Sequence, residues 1–447
     1  MNKQLLTSTL QSEEEKLLAC IHCGLCLEAC PTYVITGDEN DGPRGRLYLM
    51  RAVGEAKLSN KSRAFERHID RCLGCRACEQ VCPAGVEYGQ LLEAARAELF
   101  TSATQRGFAY EAVRFALKHI WLQPARLKFA FAFARVMRDS GLAAFLLKSG
   151  LARIVSRRFE FGLALLQSSR QEKSRGSDSG GKRAPGVARV SGQPNNPAPQ
   201  TKVCATTNGA MLFSGCVGEG LFSRVNEATV RVLEVNGTDT IVPDEQVCCG
   251  ALHAHAGDLA GARALARQNI KAFSKDEALP IITNAGGCGA MLASYAHLLS
   301  GDETFAAAAR TFSERIRDVS QQLKLVGSKP GSSSTSEPVT YDASCHLLYG
   351  QHVGEAPLEM LAGISQLNFA RLEGSERCCG GAGIYNLLEP ELSRQVLAEK
   401  LANIRASGAQ VLATGNPGCQ MQIGAGALLA GMNLRICHPV ELLDESY

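Results

Sequence analysis

The chain has 447 residues, 45% of them apolar and 20% charged, and a net charge of +3. That length exceeds one ordinary core and predicts two or three domains, and so slight a charge excludes nucleic-acid binding driven by the whole chain's field. No uncharged apolar run reaches the roughly eighteen residues of a membrane-spanning helix, and the polar start, with Glu13, Glu14 and Glu15, lacks the apolar stretch of an export signal. A cytoplasmic protein is therefore expected. Eighteen cysteines in a reducing compartment point to metal ligation rather than disulfides.

In chain order, the first feature is a doubled cysteine pattern. Cys20, Cys23, Cys26 and Cys30 precede Pro31, and Cys72, Cys75, Cys78 and Cys82 precede Pro83. This C-x2-C-x2-C-x3-C-P spacing holds pairs of [4Fe–4S] clusters in bacterial two-cluster proteins, with the fourth cysteine of each run serving the other cluster. The expected sets are Cys20, Cys23, Cys26 and Cys82 for one cluster, and Cys72, Cys75, Cys78 and Cys30 for the other. Zinc is the alternative, and the trailing prolines weigh against it. Between the runs lies a basic turn, Gly42-Pro43-Arg44-Gly45-Arg46, leading into a predicted helix over 47–56. A second helix is predicted over 88–99.

Residues 106–168 carry Phe, Leu and Ala at helical spacing. Eleven Lys and Arg face three acids there, a local balance of +8. Such helices either lie on an anionic membrane surface or connect domains by packing their apolar face inward. From 169 to 202 the composition turns to Ser, Gly, Pro, Asn, Lys and Arg, which predicts a disordered linker. A second, Ser- and Gly-rich linker is predicted over 327–338.

The C-terminal half repeats with a period near 130. Cys216, Cys248-Cys249-Gly250 and Cys288 stand 32 and 40 residues apart; Cys345, Cys378-Cys379-Gly380 and Cys419 stand 33 and 41 apart. Strands are predicted over 211–214, 240–242 and 280–283, with helices over 219–235 and 259–273. The second unit repeats the strands over 339–341, 366–369 and 410–414. Alternating strands and helices predict parallel sheets with both faces covered, and ligands collect beyond the carboxyl ends of such strands, where these cysteines fall. Four thiols per unit suit a further iron–sulfur cluster or zinc, or they stay free. Gly286-Gly287 reads as a tight turn before Cys288. His253, His255 and His346 read either as outer ligands or proton carriers, or as caps and surface groups. Cys204 and Cys437 read as structural.

The expected fold class is thus α+β and multi-domain. A mostly helical two-cluster domain (1–104) leads through a basic helical connector (105–168) and a linker (169–202). A first cysteine-rich unit (203–326), a linker (327–338) and a second unit (339–447) complete it. No dinucleotide or phosphate-binding glycine loop follows a strand, so no flavin is expected in this chain, and substrate oxidation falls to a partner.

With both patterns in place, the chain resembles the iron–sulfur subunit of bacterial glycolate oxidase (glycolate dehydrogenase). The resemblance runs from Cys20 to about Leu443 and rests on the 42–46 turn, Cys248-Cys249-Gly250-Ala251-Leu252-His253, Asn284 to Ala290, Tyr341 to His346 and Cys378 to Gly383. It implies a hetero-oligomer with FAD-binding subunits that oxidise glycolate to glyoxylate, electrons passing through this chain toward a membrane quinone. It also implies a protein peripheral on the cytoplasmic face of the inner membrane. Lactate and glycerol-3-phosphate dehydrogenase subunits and heterodisulfide reductase share the cysteine-rich units and are the alternatives. The wider superfamily ends each unit in Cys-x-x-Cys; here Met291 and Gln422 stand in the last positions. A scaffold role with structural zinc is the rival of another class.

Overall fold

The computed structural model describes residues 9–102, 107–170, 209–333 and 335–447. The expected linker 169–202 and Cys204 lie, beyond Arg170, outside the described residues.

The N-terminal part is helical. Pro31 and Pro43 each open a helix, Pro31–Thr36 and Pro43–Gly54, where a missing N–H costs nothing and φ is already set. The second packs with Arg63–Asp70 and Tyr88–Thr101 around Leu47, Met50, Phe65, Ile69 and Leu91, while Pro31–Thr36 lies against the Glu39–Asp41 turn and the helix Pro390–Ala406. Gly45 permits a close approach: a Cβ there would stand 2.8 Å from the Asn40 Cα. The first turn of Pro43–Gly54 therefore lies directly on the Glu39–Asp41 turn.

The basic segment forms the helices Phe108–Ala116, Pro124–Asp139, Leu142–Lys148, Leu151–Val155 and Arg157–Ser168, with a π-helical turn at Leu117–Trp121. It braces both repeats. Arg135 donates to the Gly220 carbonyl at 2.8 Å, and Ser168 donates to the Met421 carbonyl at 3.1 Å. Phe131 and Ala134 pack on the core of the sheets, while Phe161 and Ala164 pack with Leu412 and Ile423.

Each repeat is built on a parallel sheet. Strands β1 (Gly209–Phe213), β2 (Asp239–Ile241), β3 (Ile281–Thr283) and β4 (Ile316–Asp318) lie in the order β2-β1-β3-β4, with Met211 opposite Ile281. Strand β5 (Gly331–Ser332) pairs with β7 (Ile364–Ser365). The second unit orders β6 (Val339–Asp342), β8 (Val411–Thr414) and β9 (Arg435–Cys437) as β6-β8-β9. Met211, Leu212, Phe213, Ile281 and Ile282 are all buried, as expected of strands covered on both faces. The α+β class with parallel C-terminal sheets is therefore as the sequence predicts.

Four local expectations need correction. The helix expected over 219–235 is two, Cys216–Leu221 and Ser223–Val235, broken where Phe222 leaves helical geometry to bury its ring. The strand expected over 366–369 shrinks to one bridge between Val339 and Phe369, because Gln366 adopts a φ of 60° that interrupts extension. The linker expected over 327–338 contains β5 and is tied into the fold. Gly286 and Gly287 form no turn; they open the helix Gly286–Ala293. A Cβ on Gly286 would meet Leu347 Cβ and Ser344 Oγ at 2.9 Å, so this glycine lets the two repeats approach.

Candidate metal centres

The eight N-terminal cysteines separate into two groups. Cys20, Cys23, Cys26 and Cys82 line one cavity, which Cys78 also borders. Cys30, Cys72, Cys75 and Cys78 line its neighbour, and Pro43 and Tyr88 border both. One backbone device serves both loops. His22 and Gly24 flank Cys23 with φ of 57° and 86°, and Gly74 and Arg76 flank Cys75 with φ of 64° and 65°. Two non-glycine residues thus adopt the sparsely populated left-handed region, which marks sites whose surroundings impose the geometry.

Cys30 lies within 3.2 Å of Thr32 Oγ1 and 3.8 Å of Arg46 Nη1. Cys72 Sγ accepts from the Gly74 N–H at 3.4 Å and from Tyr88 Oη at 3.6 Å. Burial, and next the neighbouring thiols, push Cys75 and Cys78 upward. Burial likewise raises Cys26. Arg46 is fully buried; its Nε donates to the His68 carbonyl at 2.7 Å, and its Nη2 to Thr32 Oγ1 at 3.0 Å. Buried Asp41 holds Arg71 and His68, each at 2.8 Å. Burial opposes its charge, yet His68, Arg71 and Arg46 keep its carboxyl below the usual range.

In the repeats the cysteines stand beyond the strand ends, as predicted. Cys216 opens a helix after β1, Cys288 lies in the first turn after β3, Cys345 follows β6, and Cys419 lies in the first turn of Pro417–Leu429 after β8. Cys216 and Cys248 sulfurs are 3.4 Å apart, and Cys249 is hydrogen-bonded to Cys288. In the second unit Cys379 and Cys419 sulfurs are 3.4 Å apart, and Cys345 is hydrogen-bonded to Cys378. The glycine after each cysteine pair has a structural reason. Gly250 and Gly380 have φ of 90° and 82°, and a Cβ on Gly380 would stand 2.6 Å from the Ser393 carbonyl oxygen. The hydrogen bond to Cys248, and then burial, raise Cys216; Cys345 is pushed up to about 11.

All sixteen predicted cysteines fall into these four groups. Cys437 is buried in β9, apart from them. The positions of the missing fifth cysteines are filled: Met291 is buried, and Gln422 donates to Ser393 Oγ at 3.0 Å while accepting from Asn386 at 2.9 Å. Convergent soft donors fit an iron–sulfur cluster.

The histidines are not surface groups. His253 is fully buried and bonded to Asp258 at 2.8 Å. His255 and His346 rings lie 5.3 Å apart across the two repeats, tilted by 39°, and burial lowers the basicity of both. His346 Nε2 meets the Gly74 carbonyl at 3.0 Å, and Tyr385 Oη donates to the Arg71 carbonyl at 3.0 Å. Leu73, Cys75, Cys345, Cys378 and Tyr385 share one apolar cluster. The second repeat's thiols thus adjoin the Cys72–Cys75 loop. The first repeat's thiols pack instead with Trp121 and Leu122. Sequence reasoning noted Arg46 only as part of a basic turn; Asp41, Tyr88 and Tyr385 carried no signal it used.

Paired cysteine loops joined to duplicated Cys-Cys-Gly units define an iron–sulfur protein of two-cluster ferredoxin type with cysteine-rich repeats. Residues 16–86 match the family model of a 4Fe-4S dicluster domain, and residues 210–293 and 339–424 each match that of the cysteine-rich domain. The chain is 35% identical over 440 residues to the probable glycolate oxidase iron-sulfur subunit of Bacillus subtilis, covering 97% of this chain and 95% of that one. It is 28% identical over 436 residues to the glycolate oxidase iron-sulfur subunit of Escherichia coli, covering 96% and 94%. Lactate utilization protein A of Oceanobacillus iheyensis is 31% identical over 234 residues, 52% of this chain and 95% of that protein. The chain belongs to the family of glycolate oxidase iron–sulfur subunits.

Proposed function

We propose that this chain is the electron-transfer subunit of a glycolate dehydrogenase complex. FAD-binding partner subunits oxidise glycolate to glyoxylate, and the electrons travel through this chain toward a quinone at the cytoplasmic face of the membrane. Similarity along nearly the whole chain favours glycolate over lactate, since the lactate-linked relative matches only about half of it.

Cys20, Cys23, Cys26 and Cys82 would hold one [4Fe–4S] cluster, and Cys30, Cys72, Cys75 and Cys78 the other. Cys345, Cys378, Cys379 and Cys419 suit a further iron–sulfur cluster, and Cys216, Cys248, Cys249 and Cys288 suit another or zinc. When bound, such clusters supply one-electron carriers. The chain's own residues arrange access to them. Cys23 is exposed, with exposed Ile21 and Leu25 two residues to either side, a rim on which a redox partner can dock. Tyr88, Pro43 and Leu47 wall the first site inward. His346 and Tyr385 fasten the Cys72–Cys75 loop to the second repeat. The observation that carries the reading is this succession of three adjoining thiol groups, from an exposed edge to the second repeat.

Cys23→Ser and Cys75→Ser test it. Each is expected to abolish glycolate-dependent dye or quinone reduction, and each removes about four iron atoms, while the flavin subunits still co-purify. Wild-type turnover in both variants overturns the assignment.

A further inference from the structure

Exposed large apolar side chains are not spread evenly over this molecule. Eleven of the 26 among the described residues lie between Phe108 and Phe159, including six of the seven exposed phenylalanines. The helix Pro124–Asp139 shows why they are surplus to folding. Its inner face is already used: Leu127 is buried, Phe131 packs on the sheet core, and Arg135 and Arg138 donate to the Gly220 and Leu221 carbonyls. Phe129, Phe133 and Val136, spaced four and three apart, form a second stripe and are 75%, 63% and 66% exposed. The next helices join this one through a small shared core of Ala143, Ala152 and Leu163 with Met137. Their outer residues Phe145 and Ile154 are 61% and 80% exposed.

Charge identifies the occupant. Nine exposed Lys and Arg accompany two exposed acids between 107 and 160, and Asp139 is already paired with Arg138. A protein covering this face would have to pair these cations with acids of its own, because a charge buried without a partner is costly. At an anionic bilayer the same cations meet lipid phosphates while aromatic rings settle at the boundary of headgroup and acyl chain. No helix among the described residues is long and apolar enough to cross a membrane, so the segment would lie on the surface.

We propose that the helices between Phe108 and Phe159 form a foot that inserts phenylalanines into the headgroup region of an anionic membrane. This rests on the quinone-linked reading above and names the surface that would bring the chain to the membrane. The test is flotation of the full chain, prepared without oxygen, on vesicles of phosphatidylcholine with phosphatidylglycerol and on phosphatidylcholine alone. The chain should float with the anionic vesicles, less so at high salt, and far less with the neutral ones. A Phe129→Ser, Phe133→Ser, Phe145→Ser variant should lose flotation. Lys148→Glu with Arg153→Glu should lower partitioning about tenfold or more. Both should keep wild-type iron content and flavin subunits. Phe133→Trp should shift its emission to the blue on the anionic vesicles only.

No flotation of the wild type on anionic vesicles overturns the proposal, as does undiminished flotation of the serine variant. Release of the flavin subunits by that variant, with flotation intact, assigns the face to a protein and also overturns it. Glycolate-dependent reduction of a water-soluble dye needs no bilayer. Dye reduction without flotation therefore sinks the foot alone, and flotation without dye reduction sinks the electron-transfer reading alone.

Discussion

Arg46 offers the sharpest prediction because its charge has no route to solvent. It is fully buried, with Nη1 3.8 Å from Cys30 Sγ and Nη2 3.9 Å from Asp41 Oδ1. Asp41 is shared with Arg71 and His68, so the two arginines leave a net positive charge beside Cys30. A cation favours the more negative, reduced state of a centre held there, and its removal must lower the reduction potential. At an effective dielectric constant of about 20, a unit charge 3.8 Å away is worth at most ~4 kcal/mol. Because the added electron is shared over a whole cluster, about half of that applies, or roughly 90 mV for one electron. Arg46→Gln should therefore move the wave of the Cys30 group in an EPR-monitored redox titration down by about 50–100 mV. The wave from the Cys20 group should stay in place. Arg46→Lys keeps the charge and should keep the potential, although it loses the fork that binds His68 and Thr32. A Gln variant with full iron and every wave unmoved would falsify this electrostatic role.

Gly45→Ala places a methyl group 2.8 Å from Asn40 Cα; we predict a loss of about 1–3 kcal/mol or more and reduced iron content, and an unchanged denaturation midpoint would contradict it. Asp318 is predicted to make stability pH-dependent. Burial raises its carboxyl to about 6, and Oδ2 has no hydrogen-bond partner. Its folded value lies above the unfolded one, so its contribution is full below pH ~4 and is lost as pH rises through ~6. Asp318→Asn should therefore gain roughly 2–3 kcal/mol on wild type between pH 4.5 and 7.5. Parallel urea midpoints across that range would dismiss the idea.

Much of this architecture is legible in the sequence because its signals are local. The strands β1 and β3 are apolar runs with β-branched or aromatic residues, and the cysteine intervals repeat within a residue. What escaped depends on distant partners. Nothing near Gly286 in sequence announces Leu347 and Ser344, so a glycine needed for close packing reads as a glycine needed for a turn. Gln366 and Phe222 are similar: a single residue in an unexpected backbone region cuts an otherwise regular pattern. Arg46 sits in a motif conspicuous for its charge, and a charge run is ordinarily a solvated face. Only the fold shows that Arg44 pairs with Glu39 near the surface while Arg46 points inward.

The duplication carries a related lesson about function. By spacing, the two Cys-Cys-Gly units are equivalent, and chemistry alone would give them one role. Their surroundings differ. The second unit reaches the Cys72–Cys75 loop through His346 and Tyr385, whereas the first meets the N-terminal domain through Ala251–Ala256 packed on Tyr88–Thr101, and its thiols face Trp121. Electron exchange weakens steeply with separation, so adjacency to Cys75 and Cys378 outweighs any similarity of ligand sets. The unit in line with the exposed Cys23 edge is thereby the one suited to carry charge. The other, whose thiols pack on Trp121 and Leu122 of the connector and not on a cysteine loop, is suited to a structural part.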